Sequence, residues 1–186
     1  LKGLRNRLDL PTTRSELMPV KLLIETVTVG AGGAASIEFT AIPQDGSDLV
    51  LLLNGRTLRT GTYGYVDDLN LNINSDGFGV NLSEILLHNV PNVKSVANEL
   101  SPAFTGAVTT SNTFGNSSLY ISNYTSGLAK SMSFDGSLEN NSSSAGLALG
   151  SFRYNTTSAI TSIKVGTGNS NFDAGSSFSL YKIKYD

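Results

Sequence analysis

Residues 69–74 have the sequence Leu69-Asn70-Leu71-Asn72-Ile73-Asn74, in which apolar and polar side chains alternate strictly. Successive side chains of a β-strand point to opposite faces of a sheet. The stretch therefore predicts a half-buried strand with an apolar inner face and an outer row of asparagines. It indicates a protein built from sheets.

Similar signals recur on both sides of this stretch, at intervals typical of a sandwich or barrel. Val27 and Val29 alternate with threonines, and a glycine-rich turn at residues 30–33 separates them from a second alternating run at 36–41, which predicts a β-hairpin. The unbroken apolar run from Leu49 to Leu53 is typical of a strand buried on both faces, at the centre of the core. Further strands are predicted at residues 119–122, 131–135, 147–154, 160–165 and 178–185.

The order of these elements predicts the fold class. The one helix candidate is Asn92 to Leu100, and no long helix stands between strands to form parallel crossovers. We therefore expect an all-β fold: an antiparallel two-sheet sandwich, jelly-roll-like, with an extended N-terminal arm. In the last strand, the exposed Lys182 and Lys184 are expected to protect a sheet edge from pairing.

Composition and charge limit the function classes. The 186 residues are enough for one domain or for one domain and an arm, and 39% of them are hydrophobic. A net charge of −2 argues against the broad positive field of a nucleic-acid-binding protein. The chain has no cysteine, so it has neither a disulfide nor a Cys-containing zinc site. We expect no cofactor, no metal and no membrane segment, because the longest apolar run is far below about 20 residues.

The first seventeen residues differ from the rest. They hold four basic and two acidic residues, which leaves nine basic and thirteen acidic residues, a net charge of −4, for residues 18–186. We divide the chain into a basic arm, 1–20, and a sandwich domain, 21–186. The arm is either a solvated leader or a segment that becomes ordered on a partner. Its leucines can form a short amphipathic turn before Pro11, and the predicted partner-binding residues are Leu1, Lys2, Leu4, Arg5, Arg7, Leu8, Leu10 and Arg14.

Candidate catalytic groups are few. His88 is the only histidine and follows an apolar run, so we expect a packed or surface imidazole rather than a general base. The acidic residues Asp67, Asp68, Asp76 and Glu84 could face one another across a sugar, with Tyr63 and Tyr65 as stacking surfaces, but solvated loop acids explain the same residues. Gly30-Ala31-Gly32-Gly33 has no following helix and predicts a turn rather than a phosphate loop.

Residues 72–77 show the beginning of a calcium-loop pattern. Oxygen-bearing side chains occupy positions 1, 3 and 5, and Gly77 occupies position 6. Position 12 is Ser83, however, and the expected glutamate is displaced to Glu84. The pattern therefore favours a plain turn in which Asn and Asp bond the local backbone.

Eight segments between about Lys21 and Ile183 carry a family resemblance: residues 30–43, 48–51, 112–115, 120–125, 130–131, 139–141, 159–163 and 178–183. Through them the chain resembles a family of small all-β virion proteins of tailed bacteriophages. The basic leader and residues 58–100 depart from the family pattern. The resemblance implies a non-enzymatic particle component, found as a head decoration or as a tail or fibre module.

From the residues and this resemblance we expect a capsid decoration, or cement, protein on the outer surface of a phage head. Its partner would be the major capsid protein, and we expect a homotrimer anchored by the arm. The alternative is a tail-associated fibre or receptor-binding module that recognises cell-surface glycan. The absence of an obvious fibre-forming repeat favours the head over the tail.

Overall fold

The computed structural model describes residues 18–62, 64–76, 82–88, 93–94, 100–138, 146–168 and 170–185; for 82–88, 93–94 and 100–103 it describes the backbone alone. Within these ranges the secondary structure consists of strands and turns. The strands are β1 (Pro19–Thr28), β2 (Ser36–Phe39), β3 (Asp48–Gly55), β4 (Val66–Ile73), β5 (Leu82–His88), β6 (Val93–Lys94), β7 (Leu100–Thr105), β8 (Gly115–Ile121), β9 (Lys130–Leu138), β10 (Gly146–Tyr154), β11 (Ile163–Thr167) and β12 (Ser177–Tyr185).

Eight of these strands form a jelly roll. Four early strands pair with four late strands in reverse chain order: β1 with β12, β2 with β11, β3 with β8 and β4 with β7. Additional pairs, β12 with β3 and β11 with β4, produce the two antiparallel sheets β1-β12-β3-β8 and β2-β11-β4-β7. The chain changes sheet at each step from β1 to β4, which is the arrangement of two Greek keys. The predicted all-β, jelly-roll-like sandwich is confirmed.

The remaining four strands widen one sheet. Strands β9 and β10 follow β8, and β5 and β6 continue beyond β10, so the large sheet has the order β1-β12-β3-β8-β9-β10-β5-β6. The β10–β5 pairing joins two insertions that are far apart in the sequence, with Ser151 opposite Ile85. As a result, the large sheet extends well beyond the four-stranded sheet that packs on it.

The core lies between the sheets and is built from the alternate residues of each strand. In β3, Leu49, Leu51 and Leu53 are at most 1% exposed, whereas Val50 and Leu52 are half-buried on the opposite face. The expectation that β3 is buried on both faces is therefore wrong. Each fully buried side chain of this size stabilises the fold by about 1.5 to 3 kcal/mol. Strand β4 has the predicted pattern, with Leu69, Leu71 and Ile73 buried.

Three phenylalanines form an aromatic cluster at one end of the core. The ring of Phe104 meets those of Phe172 and Phe178 edge to face, with centroid distances of 5.1 and 6.2 Å. Gly55 lies against this cluster, and a Cβ atom at that position would overlap the Phe104 ring. A residue without a side chain is therefore required where β3 passes the cluster.

A buried arginine holds the loops at this end together. The Arg56 guanidinium donates to the carbonyl oxygens of Ala107 and Thr110 and to the hydroxyl of Thr109, at 3.2, 3.0 and 2.8 Å. Its Nε atom lies 3.3 Å from the carboxylate of Asp173. The loop between β7 and β8 and the loop between β11 and β12 are thus fixed to one side chain.

Three other expectations are corrected. The turn at residues 30–33 exists, with the Gly33 amide donating to the Gly30 carbonyl, but it carries the chain from one sheet to the other and not through a hairpin. Val93 and Lys94 form β6 where a helix was predicted over 92–100, and residues 95–99 lie outside the described ranges. Lys182 and Lys184 do not protect an edge, because β12 lies between β1 and β3.

Candidate binding surface

A row of large side chains crosses the outer face of the large sheet. Leu23 on β1 is opposite Tyr181 on β12, Tyr181 is opposite Val50 on β3, and Val50 is opposite Tyr120 on β8. Residues directly opposite in paired strands share a face, so the four side chains adjoin on the side away from the core. Leu23 is 56% exposed and Tyr120 is 37% exposed.

Ile183 and Tyr185 extend this row toward the end of β12. They alternate with the lysines of the strand and therefore lie on the same outer face as Tyr181. Tyr185 is 52% exposed. We call the group the aromatic surface and define it as Leu23, Val50, Tyr120, Tyr181, Ile183 and Tyr185.

A buried carboxylate orders the polar side of the aromatic surface. The Asp48 carboxylate accepts hydrogen bonds from the Asn123 amide at 2.8 Å and from the Ser47 hydroxyl at 3.2 Å. It also hydrogen-bonds the phenol of Tyr120; burial, followed by this hydrogen bond, raises the pKa of Tyr120 to about 12. Tyr120 therefore stays neutral near pH 7, with its ring held in place.

A cation covers part of the next tyrosine. The Lys21 ammonium lies 4.2 Å from the centre of the Tyr181 ring, within cation–π distance. The aromatic surface thus joins exposed apolar area to the charges of Lys21 and Asp48, the composition typical of a protein-docking surface.

Among the described residues, no strand pairs with the edge beside the aromatic surface. Strand β1 is the outermost strand of the large sheet, and eight of its ten residues are exposed. Val20, Leu22 and Leu23 are 37%, 39% and 56% exposed, and Met18, just before the strand, is 68% exposed. A long apolar edge strand can pair with another chain, and natural proteins usually protect such edges.

Of the predicted carboxylate residues, Asp67 and Asp76 do not come together. Asp67 lies near the start of β4 and is fully buried, where it accepts hydrogen bonds from the Asp68 amide and the Ser170 hydroxyl. Asp76 follows the other end of β4, and the seven residues from Asp67 to Ile73, six steps along the strand, alone extend about 20 Å. Glycosidase carboxyl groups are within about 10 Å of each other. Glu84 lies on β5 opposite Phe152, and its side chain is outside the described part of the structure, as is Tyr63.

The residues of the incomplete calcium-loop pattern form a tight turn. The Asp76 amide donates to the Ile73 carbonyl at 3.1 Å, and Asn74 and Ser75 have φ values of 53° and 65°. Asn74 accepts from the Thr161 amide at 2.8 Å, while Asp76 accepts from the Tyr154 phenol at 2.5 Å. Residues 77–81 lie outside the described ranges. One side-chain oxygen of Asn74 and one of Asp76 thus accept hydrogen bonds from the protein itself.

The other predicted candidates can be placed only in part. His88 ends β5 opposite Ala148, with its side chain outside the description. The arm residues Leu1, Lys2, Leu4, Arg5, Arg7, Leu8, Leu10 and Arg14 all fall in residues 1–17, which the structure does not describe, so their role stays a prediction. Among the described side chains, no group of three or more His, Asp or Glu residues could hold a metal ion.

The aromatic surface was missed at the sequence level, although one signal was available. Tyr181, Ile183 and Tyr185 alternate with lysines, which identifies one face of β12. Tyr120 and Asp48 join that face only through the pairing of β3 with β8 and β12, which local sequence does not reveal.

Comparisons with family models, curated proteins and solved structures give no match for this chain. Across the described ranges, no helix has the length and apolar character needed to cross a bilayer.

Proposed function

We propose that the chain is a structural component of a bacteriophage virion: a capsid decoration protein that binds the outer surface of the head as a homotrimer. The observation that carries the proposal is the aromatic surface, an ordered and exposed group of tyrosines and aliphatic residues on a rigid sheet. Tyrosine supplies contact area at a low entropic cost, and it is enriched where protein interfaces are most tightly bound.

The interior of the jelly roll supports a binding role over a catalytic one. The described ionisable side chains that are buried take part in structural contacts: Arg56 holds two loops, and Lys130 donates to the carbonyl of Ser126. Asp67 accepts hydrogen bonds from the Asp68 amide and the Ser170 hydroxyl, and its carboxylate lies 3.5 Å from the Arg59 guanidinium. The proposal therefore assigns the shell contact to the outer face of the large sheet.

A glycan-binding tail module is the second candidate, and a specific observation favours it. Exposed tyrosine rings, as in Tyr120 and Tyr185, are groups on which a sugar could stack. In that case the aromatic surface would bind host polysaccharide, with no need for a shell protein.

Rebinding to phage heads stripped of the protein tests the first proposal. We expect the double variant Leu23→Ser, Tyr185→Ala to remain folded, because both side chains are exposed, and to lose at least tenfold in head affinity. Val108→Ser is the matched control: Val108 is 55% exposed, in the loop at the opposite end of the sandwich, and its loss should leave head binding unchanged.

The same variants separate the two candidates. Equal occupancy of heads by the double variant and the unmodified protein would reject the shell-binding role of the aromatic surface. Binding of host polysaccharide that disappears in the double variant, together with electron-microscopic location on the tail, would establish the second candidate instead.

A further inference from the structure

The open edge of β1 and the undescribed arm meet at one point in the chain. Residues 1–17 end immediately before Met18, and β1 begins at Pro19. The arm is therefore tethered at the beginning of the one long strand whose outer edge is unpaired within the described residues. Any surface near this edge is within reach of the arm.

The arm has the sequence pattern of a strand between residues 4 and 10. In Leu4-Arg5-Asn6-Arg7-Leu8-Asp9-Leu10, the leucines fall on even positions and the charges on odd positions. A period of two places the two sets on opposite faces of an extended segment. Such a segment suits a sheet edge that presents unpaired backbone groups and apolar side chains.

Charge also favours this pairing. The arm carries four basic and two acidic residues, while the rest of the chain has a net charge of −4. The net charges of the arm and of the rest of the chain are therefore opposite in sign, which favours association of the arm with a body of this same sequence.

The exposure of β1 points to a second copy as the donor of the arm. An added strand covers the edge, but Met18 and Leu22 beside it, which lie outside the aromatic surface, are 68% and 39% exposed and need a further surface to cover them. A neighbouring body supplies that surface together with its arm. Seven linker residues, 11–17, span up to about 23 Å, which is enough when the β1 strands of neighbouring copies lie close to one symmetry axis.

We propose that residues 4–10 of one copy pair with the free edge of β1 in the next copy, and that this exchange of arms closes the homotrimer. The proposal rests on the homotrimer of the proposed function and identifies its interface. The contact is head-to-tail, so the arm of each copy is bound by one neighbour while its own edge binds the arm of the other.

Light scattering on the purified protein, with no phage head present, is the first test. The full chain should have a mass of about 59 kDa, three times the 19.6 kDa of one copy, and the chain lacking residues 1–17 should be a monomer. Leu22→Pro at the edge should also give a monomer. A truncated chain that remains trimeric would overturn the proposal, as would a monomeric full chain.

Cysteine crosslinking identifies the occupant of the edge, because the chain has no cysteine of its own. Leu8→Cys is combined in turn with Val20→Cys and with Leu22→Cys, and the protein is oxidised. We expect disulfide-linked dimers and trimers on a non-reducing gel. Leu8→Cys with Val108→Cys, at the far end of the sandwich, should give no crosslink.

A different occupant of the β1 edge, or a different role for the arm, would give other results in these tests. A disulfide formed only within one chain would show that the arm folds back on its own edge, and it would overturn the exchange. Loss of head binding on deletion of residues 1–17, with the trimer intact, would assign the arm to the shell protein. A trimer that forms through the arm but does not bind heads would reject the decoration role and leave the arm exchange established.

Discussion

Arg56 and Asp173 form a 3.3 Å ion pair in which the arginine is only 5% exposed, although Asp173 is partly open to solvent. The amide of Asp173 also donates to the Arg56 carbonyl at 2.8 Å. The pair joins the end of β3 to the loop before β12, while the remaining guanidinium hydrogens bind the loop before β8. One side chain thus sets the geometry of three segments.

Replacing this arginine should destabilise the fold strongly. In Arg56→Met the apolar stem is kept, but the carbonyls of the bound loop lose their donor, and we expect the free energy of unfolding to fall by about 3 to 5 kcal/mol. Arg56→Lys should recover less than half of this loss in unfolding free energy, because an ammonium cannot reproduce the planar fork of donors. Urea unfolding measures both. Arg153→Met, on the exposed face of β10, is the control and should change stability by less than about 0.5 kcal/mol.

Gly106 should not tolerate a side chain. A Cβ atom there would overlap the backbone carbonyl of Gly64, which cannot move aside as a flexible side chain can. We expect Gly106→Ala to lower the free energy of unfolding by at least about 2 kcal/mol. Gly32→Ala is the matched control, since no atom lies within 4 Å of its Cβ position, and thermal melting should show no loss of stability. Equal melting temperatures for the two variants would contradict the close approach of the two loops.

Lys130 should make stability depend on alkaline pH. Its side chain is 1% exposed, and its ammonium donates to the Ser126 carbonyl at 2.8 Å. Burial lowers the pKa of Lys130 below its ordinary value of 10.5. The unfolded chain therefore binds this proton more tightly than the folded chain does, so stability rises with pH between the folded-state pKa and 10.5.

The measurement compares the unmodified protein with Lys130→Met, which keeps the length of the side chain and cannot titrate. Urea unfolding between pH 7 and 10.5 should show the difference in unfolding free energy growing in favour of the unmodified protein as pH rises. Subtracting the unfolding free energy of the variant at each pH removes the contributions of tyrosines and other lysines to the pH dependence. A difference that stays constant over this range would contradict the unfavourable burial of the charged form.

Calcium should leave the stability unchanged. Asn74 and Asp76, at positions 3 and 5 of the incomplete loop pattern, already accept hydrogen bonds from Thr161 and Tyr154. A ligand that binds only the folded state would raise the melting temperature in proportion to its binding free energy. Melting in millimolar calcium and in chelator should coincide. An increase of several degrees with calcium would mean that the turn opens to accept the ion.

The sequence predicted the strands well and their partners poorly. The alternation in Leu69, Leu71 and Ile73 reports burial directly, and β4 has the predicted inner face. The supposed hairpin around the turn at residues 30–33 shows the reason for the failures: a turn has the same local chemistry whether the next strand pairs beside it or crosses to the other sheet. Only the pairing of β1 with β12 and of β2 with β11 decides between these arrangements, and both pairings join residues far apart in the chain.

The candidate surface was also predictable only in part, because the sequence indicates the face of a strand but not its partners. One face of β12 could be predicted from Tyr181, Ile183 and Tyr185, whereas the contribution of Tyr120 and Asp48 required the β3–β8 register. The continuous run in β3 was assigned to burial on both faces because apolar residues on an outer surface look the same in sequence as residues in a core. Val50 shows that such a residue can belong to the exposed side of a sheet.

The position of β12 has a consequence for how the chain folds. This strand is the last described strand in chain order, yet it lies between β1 and β3 and supplies the hydrogen-bonding partner of both. During synthesis β1 therefore has no pairing partner until more than 150 further residues have been made and β12 is complete. Contacts of such long range slow folding. A growing chain would expose the apolar β1 segment throughout that interval, which is a period of risk for aggregation and for premature association with another copy.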